Sequence, residues 1–373
     1  MKSSRALVGA LSVFALGLTG CASETAAGDL TVDASDNACK VSQTKLDAGP
    51  ATFKVTNNGS KVTEFYVYAE GDRIMGEVEN IGPGLSRELV VDLAKGTYEG
   101  ACKPGMIGDG IRETITVSGE STNKLSDSAE LKAAADNYER YIQSQTGALI
   151  EKTTEFVNAV KAGTVDEAKV LFPITRTYWE RIEPVAEIFG DLDPIVDGRE
   201  SDVEPGHDFT GFHRIEKQLW VEGNTDGMDK YADQLLANVK KIVNLAEEQP
   251  LTALQLAQGS KGLLDEVATS KITGEEDEFS HTDLWDFKAN IEGSEAATAA
   301  LRPILSAQDP DLVKKLDTRF AALDKELNQY QNDDGTWKFY DELDKAQIKS
   351  LSNAVAALSE PISKVAAVVS TSA

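Results

Sequence analysis

The chain has 373 residues, of which 62 are Asp or Glu and 37 are Lys or Arg, so its formal net charge is −25. A surface this acidic repels nucleic acid and anionic lipid and attracts cations, which argues against a nucleic-acid-binding protein. The hydrophobic fraction of 41% is enough for packed cores, which excludes a disordered chain, and the length indicates two domains. Solubility alone is the alternative explanation of the charge.

The N-terminus is typical of a lipoprotein signal peptide. Lys2 and Arg5 supply positive charge, and residues 6–18 form an apolar run that is too short to span a bilayer as a mature helix. A Leu-Thr-Gly-Cys motif ending at Cys21 has the form of a lipobox. We therefore expect cleavage before Cys21, lipid on its thiol and an extracytoplasmic protein anchored to the cell membrane. An ordinary signal peptide with a chance cysteine is the alternative.

After the signal, residues 22–29 are small and polar and are predicted to form a tether. Residues 30–118 then show the hydrophobic alternation of β-strands, interrupted by glycine-rich turns. The clearest strands are residues 51–57, 64–68, 88–93 and 113–117. Short strands at this spacing predict a small β-sandwich. The polar segment 119–128 is predicted to be a linker.

From residue 129 to residue 373 the hydrophobic period becomes that of helices. The predicted helices are residues 129–162, 165–189, 209–222, 228–247, 253–269, 284–305, 312–331 and 341–369, with breaks at 190–207 and 270–280. The predicted fold class is therefore multidomain, a β-sandwich followed by an all-α bundle of seven or eight helices. Two fused four-helix bundles are an alternative arrangement of the same helices.

A candidate metal site is centred on His213, one of three histidines in the chain. Glu216 lies three residues further along the same predicted helix, so imidazole and carboxylate share a face and can bind one ion. Antiparallel packing of the preceding helix would add Glu180, and the acidic loop between them would add Asp197. Imidazole with carboxylates suits iron or zinc better than calcium. The alternative is that His213 and Glu216 form a solvated pair at the start of a helix.

A second segment faintly repeats the pattern around His213. Residues 279–285 and residues 209–220 each place a phenylalanine and a histidine after an acidic loop and before a Leu-Trp pair. Around His281 the sequence also predicts a capping box, with Ser280 as N-cap and Asp283 at the third helical position. A ligand role for His281 is the alternative.

The cysteines that follow Cys21 allow two interpretations. Cys39 and Cys102 would lie in an oxidising compartment, which favours a disulfide between them. The alternative is a soft or mixed metal site in which Glu64 joins the two sulfurs. The predicted β domain contains no histidine, so a blue-copper site with two histidines and a cysteine is not supported.

Two sets of segments resemble one known family. In the helical part they are residues 175–187, 191–193, 210–216 and 281–287, and in the β part they are residues 39–42, 52–58, 79–84 and 98–102. In this order they resemble the EfeO-type iron-uptake lipoproteins, which have a cupredoxin-like domain followed by an imelysin-type (M75) domain. The resemblance implies a cupredoxin-like β-sandwich in residues 30–118 and an imelysin-like helical bundle in residues 129–373.

The resemblance also implies a function. It indicates an extracytoplasmic iron-binding protein that works beside an iron permease and a haem peroxidase of the dye-decolourising type. Its ion would be iron, as Fe2+ or Fe3+, with copper and zinc as competing ions. The implied metal ligands are Glu180, Asp197, His213 and Glu216, and a second copper or iron site is implied at Cys39, Glu64 and Cys102. The second site would suit the oxidation of ferrous iron before transfer.

No catalytic residue is predicted. The chain has no His-Glu-x-x-His motif, no Gly-x-Ser-x-Gly motif, no P-loop and no dinucleotide-binding glycine pattern. Two other functions stay open: a metallopeptidase of imelysin type, since the family carries a peptidase label, and a non-catalytic scaffold for adhesion or polymer binding.

Overall fold

A computed structural model of the chain describes residues 30–119, 128–186, 192–203, 206–248 and 251–372. The predicted signal peptide with Cys21, the predicted tether and most of the predicted linker lie outside these residues. Strands occupy the first described segment and helices the others, which confirms the predicted fold class of a β-sandwich followed by a helical domain. None of the described helices is both long and apolar enough to cross a membrane.

Within residues 30–119 the structure has nine strands arranged in two sheets. They are β1 (Leu30–Ser35), β2 (Ala38–Val41), β3 (Lys45–Asp47), β4 (Gly49–Asn57), β5 (Thr63–Ala69), β6 (Arg73–Ile81), β7 (Ser86–Leu93), β8 (Gly96–Pro104) and β9 (Ile111–Ser118). One sheet has the order β2-β1-β4-β7 and the other the order β3-β9-β8-β5-β6. The pairs β1–β4 and β3–β9 are parallel, and the remaining neighbours are antiparallel.

The two sheets share one hydrophobic core because their strands alternate between buried and exposed side chains. In β1 the buried residues are Leu30, Val32 and Ala34. Phe53 of one sheet and Phe65 of the other lie with ring centroids 5.5 Å apart at the centre of this core. Strand β5 is buried on both faces, so the side chains that point away from the core are also covered.

The helical domain is built around one continuous core. The helices are α1 (Ala129–Ala162), α2 (Val165–Ala186), α3 (Leu192–Asp197), α4 (Gly211–Lys217), α5 (Asp229–Glu248), α6 (Ala253–Thr269), α7 (Asp283–Gln308), α8 (Pro310–Leu327), α9 (Lys345–Ile362) and α10 (Val365–Ser370). Helix α7 lies at the centre and packs against α1, α2, α6 and α8. Its crossing with α2 is close, since a Cβ at Gly293 would lie 2.7 Å from the carbonyl oxygen of Arg181.

The predicted break at 190–207 contains the short helix α3, and two predicted helices are interrupted in the structure. The predicted helix 209–222 is α4 followed by a π-helical turn from Gln218 to Glu222. Such turns are rare and occur mostly as single insertions, often beside functional residues. The predicted helix 341–369 is divided into α9 and α10. The first of them ends one residue after Pro361, because proline disrupts the interior of a helix.

A disulfide between Cys39 on β2 and Cys102 on β8 links the two sheets. The two residues are 63 positions apart, so the bond closes a long loop of the unfolded chain. By loop-closure entropy, a loop of this length stabilises the folded state by about 4 kcal/mol.

We therefore predict that replacing both cysteines by serine lowers the free energy of unfolding of the β domain by about 4 kcal/mol. The measurement is denaturant unfolding of the oxidised protein and of the double variant. A reductant should lower the midpoint of the wild type towards that of the variant and leave the variant unchanged. Equal midpoints for the oxidised wild type and the double variant would contradict the prediction.

Candidate metal centre

Acidic side chains from four parts of the helical domain converge on His213. Helix α2 supplies Glu180 and Glu183, and the last residue of α3 supplies Asp197. Helix α4 supplies Glu216. The segment before α7 and its first turn supply the rest, namely Glu276, Asp277, Asp283 and Asp286.

The imidazole of His213 is buried, with its side chain 2% exposed. Its Nδ1 lies 2.9 Å from Oε2 of Glu216, and a carboxylate can only accept, so Nδ1 donates this hydrogen bond. In the neutral form of the ring, the lone pair is then on Nε2. This atom lies 3.5 Å from Asp197 Oδ1 and 3.9 Å from Glu276 Oε1, and has no hydrogen-bond partner in the described part of the chain.

The ligand atoms are close enough to bind a cation. Three groups each have all their ligand atoms within 4.8 Å of one another: Asp197, His213 and Glu276; His213, Glu216 and Asp277; and Glu180, Glu276 and Asp286. The structure thus brings Asp197, His213 and Glu216 of the sequence-predicted site together around one imidazole. Glu180 lies in the adjoining group, which it shares with Glu276.

The sequence reasoning missed Glu276 and Asp277, which it placed in a break between helices. The signal was present in the repeated pattern, since both residues belong to the acidic loop before Phe279. The two segments that share this pattern, residues 209–220 and 279–285, contact each other in the structure. The backbone N–H groups of Phe279 and Ser280 donate to Oε1 of Glu216 at 3.1 and 2.7 Å.

The predicted capping box around His281 is wrong. Helix α7 begins at Asp283 and its N-cap is Thr282, whose side chain makes no capping hydrogen bond. The reason is a turn at His281, whose φ of 58° lies in the left-handed region. This turn leaves the backbone N–H of Ser280 directed at Glu216.

Two buried cations balance part of the negative charge. The guanidinium of Arg176 is fully buried and contacts Asp286, Glu276 and Asp277 at 2.9, 3.0 and 3.2 Å. It also pairs with Glu180 and Asp197. The ammonium of Lys271 lies 2.8 Å from Glu180 Oε2 and 2.8 Å from Glu183 Oε1.

The cluster still has more acidic groups than cations. Among the described residues, the buried carboxyl groups of this cluster are Glu180, Glu183, Asp197, Glu216, Glu276, Asp277, Asp283 and Asp286. Burial and the neighbouring carboxylates raise the pKa of Asp277 and Asp286 well above the usual range. Burial also acts on Glu276, but Lys271 and Arg176 outweigh it and lower its pKa to about 2. A metal cation would supply positive charge that the cluster lacks.

A close backbone contact holds Asp197 beside His213. Helix α4 begins at Gly211, whose φ is +78° and whose Cβ would lie 2.1 Å from the carbonyl oxygen of Val196. Glycine therefore lets the start of α4 touch the end of α3. The indole N–H of Trp179 fixes the carboxylate itself, since it donates to Asp197 Oδ2 at 2.8 Å.

The second predicted site is not formed. Cys39 and Cys102 are joined in a disulfide, so neither sulfur is a thiolate ligand. Cys102 lies opposite Phe65 in the β5–β8 pair, whereas Glu64 lies opposite Lys103. Because neighbouring residues of a strand point to opposite faces, Glu64 faces away from the disulfide. The expectation of a site built from Cys39, Glu64 and Cys102 is therefore corrected.

Glu64 instead lines a cleft between the two domains with a volume of about 560 Å³. Tyr66, Glu77 and Glu79 of the β domain line the same cleft. On the helical side the wall includes residues of α3 and the side chain of Arg199. Arg199 Nη1 lies 3.6 Å from Glu276 Oε2, so this wall reaches the acidic cluster.

Comparison with known proteins agrees with this architecture. The cupredoxin-like domain model matches residues 8–117, and the imelysin model, of peptidase class M75, matches residues 134–365. The iron uptake system component EfeO of Escherichia coli (strain K12) is 38% identical over 339 residues, which are 89% of each chain. The chain belongs to the EfeO family. The EfeO proteins of Shigella flexneri and Escherichia coli O157:H7 match with the same identity and coverage.

A solved structure has a fold similar to that of a large part of this EfeO family member. It is a putative iron-regulated protein A precursor from Parabacteroides distasonis ATCC 8503, with a TM-score of 0.51 and 14% sequence identity. The match covers 67% of the present chain and 97% of the other. At this identity the likeness concerns the fold alone.

The contact at Gly211 generates a prediction. Gly211→Ala should destabilise the protein and weaken cation binding at His213, because the new Cβ forces the start of α4 away from Val196. Gly227→Ala is the matched control, since Gly227 also has a positive φ, +74°, but no atom within 4 Å of a Cβ. The measurements are thermal unfolding and cation affinity. The explanation fails if the two variants behave alike.

Glu64 generates a second prediction for this EfeO family member. Burial, with the charge of Glu79, raises its pKa from 4.5 to about 7, despite its hydrogen bond from Tyr66. The folded state therefore binds a proton that the unfolded state has lost, and stability falls as the pH rises from about 4.5 to about 7. Glu64→Gln should flatten this part of the stability curve.

The check is thermal unfolding of wild type and Glu64→Gln across this pH range. Glu70→Gln is the control, because Glu70 is an exposed carboxylate in the turn that directly follows the same strand. Its curve should run parallel to that of the wild type. A parallel curve for Glu64→Gln as well would show that Glu64 does not cause the pH dependence.

Proposed function

We propose that this protein is the extracytoplasmic iron-binding component of a high-affinity iron-uptake system, where it captures iron and delivers it to a membrane permease. One observation carries the proposal. Nε2 of the buried His213 has no hydrogen-bond partner among the residues that the structure describes, and it faces the carboxylates of Asp197 and Glu276. The similarity to proteins named as iron uptake system components supports it.

Capture would begin with ligands that are already oriented. Glu216 receives hydrogen bonds from two backbone N–H groups through Oε1 and from His213 Nδ1 through Oε2. This fixes the tautomer and the direction of the ring, which is how outer carboxylates usually support a metal-binding histidine. Nε2 with carboxylate oxygens from Asp197 and Glu276 gives one nitrogen and an oxygen-rich set, which suits iron. Zinc and copper would compete for the same atoms.

The surroundings would favour arrival of the ion. The chain has a formal net charge of −25, which raises the local concentration of cations. The cleft between the domains carries Glu64, Glu77 and Glu79 on one side and reaches Arg199 on the other. An ion in this cleft would be separated from Glu276 by the side chain of Arg199.

The wider role in the proposal follows from the family. Iron would pass to a membrane permease, and a haem peroxidase of the dye-decolourising type would act in the same system. A lipid on Cys21 would hold the protein at the cell membrane. The β domain would assist by attracting cations to the acidic face around Glu64 rather than by binding them at the cysteines.

A metallopeptidase function receives less support from the contacts. A zinc peptidase of the His-Glu type needs a carboxylate free to activate water. Glu216 is the carboxylate nearest to His213 Nδ1, and its two oxygens already accept hydrogen bonds from the imidazole and from two backbone N–H groups. Its geometry fits a residue that orients a ligand.

The proposal predicts that His213→Ala weakens iron binding at least ~100-fold, because the variant loses the only nitrogen ligand among the described groups of the centre. The measurement is anaerobic calorimetric titration with Fe2+, repeated with Zn2+ and Cu2+ for selectivity. His281→Asn is the matched control, since it removes another histidine and asparagine tolerates the left-handed backbone there. Equal Fe2+ affinity in wild type and His213→Ala would refute the proposed site.

A further inference from the structure

The metal centre contains a permanent cation of its own, the guanidinium of Arg176. An arginine in a protein does not lose its charge, so this group remains positive whatever else binds nearby. It is fully buried and is flanked by the rings of Phe172 and Phe212, each with its centroid 5.8 Å from the guanidinium carbon. Its position is therefore fixed by packing as well as by charge.

Arg176 and His213 share the same carboxylate oxygens. Asp197 Oδ1 pairs with Arg176 Nη1 and lies 3.5 Å from His213 Nε2. Glu276 Oε1 lies 3.0 Å from Arg176 Nη2 and 3.9 Å from His213 Nε2. Asp277 Oδ1 lies 3.2 Å from Arg176 Nε and 3.9 Å from His213 Nδ1. A cation bound at His213 Nε2 would thus compete with Arg176 for Asp197 and Glu276.

We propose that Arg176 is a built-in counter-cation of this centre, which neutralises Asp197 and Glu276 in the metal-free protein and gives up their oxygens when a metal cation binds. The inference rests on the proposed function, because it takes His213 as the point of metal attachment. Arg176 is a positioning residue in this scheme, since it acts on the cation through the carboxylates.

The guanidinium has two edges, and the exchange concerns one of them. The Nη atoms pair with Asp197, Glu180 and Glu276, and the Nε atom faces Asp277 and Asp286. Asp277 and Asp286 keep Arg176 in the cluster when the Nη atoms lose Asp197 and Glu276. The centre then keeps its fold in both states.

Competition of this kind weakens binding and speeds release. The guanidinium and a metal cation compete for the same carboxylates, so each disfavours the other. Such coupling typically changes an affinity by about 5- to 150-fold. A protein that must pass its ion on benefits from such a penalty, since an unopposed cluster of buried carboxylates would hold a divalent cation too tightly to exchange. Arg176 therefore sets affinity, whereas His213 and Glu216 set position.

The test is Arg176→Met, which keeps most of the side-chain length and removes the charge. We expect the metal-free variant to melt at a lower temperature, because its carboxylates lose their counter-cation. We expect its affinity for Zn2+, used as a redox-inert probe, to rise by about 10- to 100-fold and its release to a chelator to slow accordingly. Added Zn2+ should raise its melting temperature by more than it raises that of the wild type.

Arg181→Met is the matched control. Arg181 lies on the same helix, and its half-buried side chain pairs with Glu292 rather than with the cluster. The variant therefore has the same change in net charge. Its Zn2+ affinity and release rate should equal those of the wild type. If Arg181→Met gains affinity as Arg176→Met does, net charge explains the effect and the inference is overturned.

The outcomes separate this inference from the proposed function. A wild-type protein that binds neither Fe2+ nor Zn2+ would overturn the proposed function itself. A wild type that binds, with Arg176→Met binding equally or more weakly, would overturn only the role of Arg176, because a purely structural arginine predicts loss. If Arg176→Met does not fold without Zn2+, the test uses Arg176→Lys, since one ammonium cannot pair with all of these carboxylates. A Zn2+ affinity of Arg176→Lys no higher than that of the wild type would then overturn the inference.

Discussion

The helical domain depends on the burial of one guanidinium among carboxylates. Arg176 of α2 binds side chains from α2, α3, the segment before α7 and α7 itself, so these parts of the chain must be in place together for all of the charges to be paired. Removing one partner from such a cluster leaves an uncompensated buried charge, which is strongly unfavourable. The ionic cluster is therefore a constraint on the fold as well as on the chemistry of the centre.

The two domains contribute differently to that centre. The β domain carries no histidine and has Cys39 and Cys102 in a disulfide, so neither cysteine offers a thiolate to a metal. What it presents to the helical domain is an acidic sheet face with Glu64 and Tyr66, on one side of a cleft. The helical domain provides the imidazole, the buried carboxylates and the cations that balance them.

The sequence predicted features that local pattern determines and missed those that depend on contact between distant segments. Helices α1 and α6 have the predicted limits because their hydrophobic period is uninterrupted. The pair His213 and Glu216 could be predicted because both lie on one helix. Glu276 and Asp277 were missed, since their place in the repeated pattern does not show that the segment before α7 packs against α4 and brings them next to His213. Glu64 was placed with the cysteines because strand register, and hence the face of the sheet, cannot be known from spacing alone.

Helix α3 has only six residues, and it forms both the wall of the cleft and the edge of the centre. Asp193, in the cleft wall, and Asp197, in the centre, are four residues apart and so lie about one helical turn from each other on the same side of the helix. The cleft and the centre are therefore joined by about one turn of α3. A shift of this short helix would change the shape of both.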